Sequence, residues 1–205
     1  MENHKDPIID ENLLLQFGAR LKNYSKGTII FNEGDTAKYY YQVQSGEVKM
    51  NNFNDEGKEF IQGIFTKGES FGEPPLLISK NYPASAVALT DAVLLQLSQP
   101  VFLELLHEHP DTAIAISTRL ANRLYYKSVM ASEISSQDPE HRLLKLIDYL
   151  KLHVEELPEN EQYCVTLTRQ QLADLTGLRV ETVIRSIKAL EKKGALIIDN
   201  RKIFR

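Results

Sequence analysis

The chain has 205 residues, 42% of them hydrophobic, which suits one large or two small domains, and its one cysteine, Cys164, excludes a disulfide framework, a thiolate zinc site and a four-cysteine iron–sulfur cluster within one chain. The opening residues Met1–Pro7 lack the apolar core of a signal peptide, and no run approaches the ~18 apolar residues of a membrane span, so a soluble, cytoplasmic protein without a membrane partner is expected. The formal net charge of −4 is an average over two unlike parts: residues 166–205 hold nine Lys/Arg against four acids, or +5, and the remainder of the chain carries −9. An acidic body with a small basic module is the charge layout of a regulated DNA binder.

In chain order, a short amphipathic helix is predicted over Glu11–Arg20, with Leu14, Leu15 and Phe17 as its apolar side. From Ser25 to Ser98 short β-rich runs follow: Thr28–Phe31, Tyr39–Val43, Glu47–Met50, Glu59–Phe65, Ala84–Leu89 and Ala92–Leu97. Turn signals separate them at Gly27, Gly34-Asp35, Ser45-Gly46, Gly57, Gly68, Gly72 and Asn81, so an antiparallel barrel or sandwich is expected. Polar and apolar residues alternate in several runs, which favours a half-solvated roll over a fully buried sheet.

A short apolar helix is predicted at Val101–Leu106, and Asp111 is placed to cap a long helix reaching Ser135. Heptad-like positions 113, 117, 120, 124, 127, 131 and 134 read Ala, Ser, Leu, Leu, Lys, Ala and Ile, a seam interrupted by Lys127. His107 and His109, with Glu104 and Glu108, make a poor metal set, since side chains at i and i+2 of a helix diverge; no metal site is expected. No catalytic constellation stands out, so an enzyme is not expected. Asp138-Pro139 restarts the chain as cap and first helical residue, placing a hinge at Ser135–Asp138. The expected domains are therefore 1–110, the β-rich roll; 111–137, a connecting helix; and 138–205.

Within the last of these, Thr168–Gly194 reads as two helices joined by a tight turn. Thr168 and Gln171 have capping-box spacing, Leu172 and Leu175 face inward, and Gly177 ends the first helix. The second helix runs from Val180 until Gly194 stops it, with Val183, Ile187 and Leu190 as one apolar stripe. Glu181, Ile184, Arg185 and Lys188 fall on another face. An acceptor, an apolar group and two cations are what a helix needs to read base edges and hold phosphates in a major groove. With small strands at Tyr163–Leu167 and Ala195–Phe204, turning at Asp199-Asn200, this is a winged helix-turn-helix.

Gly27–Asp35 and Gln42–Lys49 look like the opening of a cyclic-nucleotide-binding β-roll, and Gly68–Pro75 followed by Tyr82–Leu89 looks like its phosphate-binding cassette. With the helix-turn-helix, the chain resembles the Crp/Fnr superfamily of dimeric bacterial transcription regulators over roughly residues 10–205. The resemblance implies an α+β fold: an N-terminal antiparallel β-roll (a double-stranded β-helix), a long dimerisation helix and a C-terminal winged helix-turn-helix. It implies a homodimer formed through residues 111–135, double-stranded DNA as partner and a contact with RNA polymerase. It places Thr168, Arg169 and Gln170 at phosphates and the second helix in the groove, so that the set expected at DNA is Thr168, Arg169, Gln170, Arg179, Glu181, Thr182, Ile184, Arg185 and Lys188. The family's Arg-Glu-x-x-x-Arg reading set becomes Val180–Arg185, with Val180 in the first place as in the Fnr-like branch and Ile184 where that branch carries a small polar residue.

The same resemblance puts Gly72, Glu73 and Ser85, with Lys127 and Ser128 of the long helix, around an effector. The cassette departs from the pattern where it matters most. The arginine that clamps a cyclic phosphate is Ala84, and Pro74 and Pro75 remove N–H donors after Glu73. A charge-assisted contact is worth about 1.5–3 kcal/mol, so a cyclic nucleotide is disfavoured. Lys80, Arg123 and Lys127 are the replacement cations on offer, and Lys127 suits an anionic effector. No cofactor is identified; haem, known from some relatives, is not excluded, but it would need an axial ligand that the sequence does not identify. Glu73 and Ser85 read equally as structural residues of the roll. Two other readings remain: an effector-binding module whose winged helix contacts protein, and a cupin-like enzyme with a tail. The basic 166–205 segment argues against the first, and the want of a His/Glu metal set in the β-rich region against the second.

Overall fold

The computed structural model describes residues 7–57, 59–135, 138–155 and 157–205, and its contacts divide into two compact units meeting at Ala121/Asn122. In the first unit, α1 (Glu11–Gln16) starts under Asp10, whose carboxylate accepts from the N–H groups of Asn12 and Leu13. The helix is shorter than the sequence suggests. Leu14 alone is fully buried, Leu15 is exposed, and the chain leaves the helix at Phe17 so that Arg20–Tyr24 forms β1. That strand shows no alternation of buried side chains; its ladder to β8 (Ala92–Ser98) holds it, and the sequence carries no such signal.

The remaining runs become β2 (Ile29–Phe31), β3 (Tyr39–Ser45), β4 (Val48–Phe53), β5 (Glu59–Phe65), β6 (Ser70–Phe71) and β7 (Ser85–Ala88). They assemble into two four-stranded antiparallel sheets, ordered β1-β8-β3-β6 and β2-β7-β4-β5. This is the expected roll, with Tyr40, Val43, Val48, Phe71, Leu94 and Leu95 among its buried core. Between β6 and β7 lies α2 (Glu73–Leu77), a helix the sequence reading did not include, with Pro74 and Pro75 within it. They stand in its first turn, where a backbone N–H has no helical partner in any case.

α3 spans Gln99–Glu108 and α4 spans Pro110–Ser135. Pro110, not Asp111, opens α4: the N–H groups of Thr112 and Ala113 bond to the His109 carbonyl, and Asp111 lies inside the first turn. Ile116 is buried in the roll's core and Leu120 packs against it, while Ile114, Leu124 and Tyr125 are 64%, 67% and 67% exposed. The heptad seam is thus divided: Leu120 serves the chain's own core and Leu124 remains uncovered, with the side chains of Ala131 and Ile134 outside the described residues. The proposed hinge at Ser135–Asp138 lies partly outside them as well.

The second unit opens with α5 (Pro139–Tyr149), capped by Asp138 through the N–H of Glu140 at 3.0 Å. A π-helical turn, Leu150–Val154, prolongs it. β9 (Cys164–Val165), α6 (Arg169–Thr176), α7 (Val180–Lys192), β10 (Ile197–Asp199) and β11 (Lys202–Phe204) complete a winged helix, with sheet order β10-β11-β9. The hairpin turn is one residue later than expected. Asp199 pairs with Lys202, and the central residues are Asn200 and Arg201 with φ of 47° and 66°. Leu143, Leu146, Ile147, Leu172, Val183, Ile187, Leu190 and Ile203 form this unit's separate core.

Two glycines test how backbone conformation and close packing add. Gly177 (φ 70°) has open space where a Cβ would go, whereas a Cβ at Gly46 (φ 81°) would lie 2.3 Å from the Asp91 carbonyl oxygen. Gly177→Ala is expected to cost about 1–2 kcal/mol for the left-handed backbone alone. Gly46→Ala is expected to cost more, because backbone must move, and urea unfolding of the two variants checks that order.

Candidate nucleic-acid interface and effector cassette

The capping box at the start of α6 is complete. Thr168 Oγ1 accepts from the N–H of Gln171 at 3.1 Å, and Gln171 Oε1 accepts from the N–H of Thr168 at 2.8 Å. Gly177 ends the helix in the left-handed region. Of the three residues expected at phosphates here, Thr168 and Gln170 are exposed and Arg169 is half-buried. Gln170 donates its amide to the Asp174 carboxylate at 2.8 Å, and Arg169 donates Nη2 to the carbonyl of Arg201 at 2.8 Å, across the domain to the hairpin turn.

α7 packs on α5 and α6 through Val183, Ile187 and Leu190, joined by Ser186. Glu181, Ile184, Arg185 and Lys188 are all exposed, so the predicted division between a buried stripe and a polar face is present. Glu181 lies in the first turn, where the helix dipole favours a carboxylate. Arg179 is the exposed N-cap residue and Thr182 is half-buried. Among the described residues the Arg185 guanidinium reaches only Thr182 Oγ1, at 3.5 Å, too long to hold it, so its bidentate edge is available. The sequence reading passed over Arg201 and Lys202, both exposed at the hairpin turn. The Asp199-Asn200 turn signal was the clue to their place.

In the first unit, Gly72 turns β6 into α2 with φ 84°. Glu73 is 1% exposed and accepts a hydrogen bond from the Ser70 hydroxyl. Ser85 Oγ accepts from the N–H of Glu33 at 2.9 Å, tying β7 to the loop after β2. Both side chains thus brace the roll. Ala84 is fully buried. Around this corner lie aromatic rings: Phe31 stacks on Tyr82 with centroids 3.6 Å apart, Tyr41 stacks on Phe71 at 5.3 Å, and the Tyr82 and Tyr41 rings close on Gly72. Burial, reinforced by Tyr82, raises the Tyr41 phenol well above its ordinary range, so it stays a neutral hydrogen-bonding group. Lys80 is exposed on the loop after α2.

Lys127 and Ser128 belong to the other unit, on the second half of α4. Desolvation, then the neighbouring Arg123 cation, holds the Lys127 amine below the usual lysine range. The Ser128 hydroxyl donates back to the Leu124 carbonyl at 3.0 Å. His109 sets its ring edge-on to Phe17 at 5.6 Å, and among the described residues no group of three or more His, Cys, Asp or Glu is arranged to hold a metal. No helix among them is long and apolar enough to cross a membrane.

Comparison with known proteins yields two family matches, in chain order. A cyclic nucleotide-binding domain matches residues 21–109, and a Crp-like helix-turn-helix domain matches residues 141–204. The cyclic AMP receptor protein of Thermus thermophilus is 32% identical over 173 residues, covering 84% of this chain and 77% of the relative. The cAMP-activated global transcriptional regulator CRP of Haemophilus influenzae is 25% identical over 193 residues, covering 94% and 85%. Among solved structures, the c-di-GMP responsive global regulator CLP of Xanthomonas campestris superposes with a TM-score of 0.73 at 26% identity, covering 95% of this chain and 98% of that one. Thr168→Ala removes half of the capping box and is expected to cost about 0.5–2 kcal/mol, read from the urea midpoint of the purified chain.

Proposed function

The chain belongs to the Crp/Fnr superfamily of transcription regulators, and from that premise we propose that it acts as a homodimer reading a palindromic duplex site through α7, under an effector other than cyclic AMP. The observation that carries the reading is the exposed face of α7: Glu181, Ile184, Arg185 and Lys188 stand together in solvent, opposite a buried stripe. Glu181 is assigned to a cytosine amino group, Arg185 to the paired guanine, Ile184 to a thymine methyl and Lys188 to phosphate. Arg179 and Thr182, at the entry of α7, and Thr168, Arg169 and Gln170, at the entry of α6, flank that face as contacts to the sugar–phosphate backbone.

Two copies joined through α4 would set half-site centres about one helical turn, 10–11 bp, apart. Ile114, Leu124 and Tyr125 support that pairing, since a helix in water gains by covering three large apolar side chains. RNA polymerase is the further partner that family membership suggests.

For the effector, two relatives bear cyclic AMP in their names, while CLP is named a c-di-GMP responsive regulator. In this chain the phosphate-clamping position is a buried alanine among stacked rings, and Glu73 and Ser85 are engaged within the roll. The clamp position thus presents no cation to a cyclic phosphate, which supports a different effector; Gly72, Glu73 and Ser85 remain its proposed surroundings.

Arg185→Ala is expected to cost about 1–3 kcal/mol on the selected site and to relax preference at one base pair, leaving affinity for random duplex little changed. Site selection from random DNA followed by titration measures both, and equal weakening on specific and random DNA would sink the direct-readout assignment. A ligand at a hundredfold excess over its Kd stabilises a protein by about 2.7 kcal/mol. Millimolar cyclic AMP is therefore expected to leave the thermal unfolding midpoint unchanged, and a clear rise would overturn the exclusion of that nucleotide.

A further inference from the structure

Lys151 is the second residue of the π-helical turn Leu150–Val154, and single turns of that kind recur at functional sites. It is 6% exposed, yet no carboxylate accompanies it. Its ammonium donates to the Glu159 carbonyl at 2.7 Å and makes no other hydrogen bond or ion pair among the described residues. An ammonium has three N–H donors, and a buried one is costly unless an anion is paired with it. The chain after the turn folds back on the same residue, the N–H of Leu157 bonding to the Lys151 carbonyl at 2.9 Å. Lys151 lines a cleft of about 320 Å³ with Asp148, Leu152, Glu159 and Arg205, near the lower bound for small-molecule sites. Arg205 and Asp148 give it a neutralised wall. Arg205 Nε donates to Asp148 Oδ1 at 2.6 Å, Nη2 to Oδ2 at 3.4 Å, and Nη1 to the Ala195 carbonyl at 3.0 Å. The Glu159 carboxylate is exposed and has neither hydrogen bond nor ion pair among the described residues, and Leu152 is half-buried.

We propose that this cleft binds a free α-amino acid. The ligand's carboxylate meets the Lys151 ammonium, its own ammonium meets the Glu159 carboxylate, and a small apolar side chain lies against Leu152. The cleft holds one cation and one anion that are not paired with each other, so a zwitterion answers both. A simple carboxylate leaves Glu159 unanswered, and a dianion such as phosphate is repelled by it. None of the lining residues belongs to α6 or α7, so the site stands independently of the DNA-binding reading.

The test compares L-alanine, propionate and inorganic phosphate on the full chain, read by backbone amide NMR shifts and by isothermal titration. L-alanine is expected to shift the amides of Asp148, Lys151, Leu152, Glu159 and Arg205 saturably. Propionate, which lacks only the ammonium, is expected to bind about tenfold more weakly, and phosphate to give no saturable shift at these amides. Lys151→Met keeps the length of the side chain and removes its charge. It should weaken L-alanine by about ten- to a hundredfold. Its thermal midpoint should match or exceed that of the unaltered chain, because an apolar residue of like volume commonly replaces a buried charge without loss. Glu159→Gln, at an exposed position, should bring L-alanine and propionate to similar affinity, and it keeps the test decisive should Lys151→Met fail to fold. Absence of saturable L-alanine shifts at these amides would overturn the proposal, as would equal affinity for L-alanine and propionate in the unaltered chain. Tighter binding of phosphate, or L-alanine binding undiminished in Lys151→Met, would overturn it equally.

Discussion

The burial of Val183, Ile187 and Leu190 against α5 and α6 is the constraint on which the second unit depends. Fully burying one such side chain is worth about 1.5–3 kcal/mol, whereas an exposed ion pair contributes about 0–1 kcal/mol. Packing therefore decides the rotation of α7 about its axis, and the charged residues take the faces that packing leaves. Glu181, Ile184, Arg185 and Lys188 are consequently presented on a rigid element and not on a loop. The neighbouring devices serve the same end. The Thr168–Gln171 box fixes where α6 begins, and Gly177 allows the chain to turn at once into α7.

Features whose cause is local were legible in the sequence. The Thr168/Gln171 spacing, the Asp138-Pro139 restart and the apolar stripe of α7 each follow from side chains within one or two turns of one another, and the structure has them all. The β-roll strands were legible because alternating runs and glycine turns bracket them. The exceptions depend on partners far away in sequence. β1 exists because β8 offers it a ladder, and its own residues are nearly all exposed. α2 survives two prolines only because they fall in its first turn, a matter of where Gly72 ends β6. The Arg169–Arg201 bond could not be read at all, since nothing local to either residue names the other. The chemistry of the α7 face was thus visible before its geometry, whereas the brace that aligns the hairpin tip was visible only in the fold.

The corner around Gly72 shows how substitution changes what a shared scaffold can accommodate. A buried position suits an arginine only if an anion accompanies it, because a lone buried charge is costly. Ala84 removes that requirement, and the space around Gly72 is closed by Tyr41, Tyr82 and Phe31, whose mutual packing needs no ligand. Glu73 and Ser85 then have structural work: one takes the Ser70 hydroxyl and the other the Glu33 N–H. The roll is therefore stable without an anion in the cassette. Any effector must shift the protein through its differential affinity for two states, not by filling a vacancy the fold depends on.

The charge division between the parts of the chain bears on how DNA is approached. Charges separated by more than about 8 Å are largely screened at physiological ionic strength, so local charges matter more than the chain's net charge; Lys193 and Arg205 are already paired with Glu140 and Asp148, whereas Arg185 and Lys188 stand exposed. The same arrangement limits non-specific affinity, since only a few cations are placed to displace counterions. On the proposed reading, discrimination falls on the directional contacts available to Glu181 and Arg185, so a net acidic chain and sequence-specific recognition of DNA are compatible.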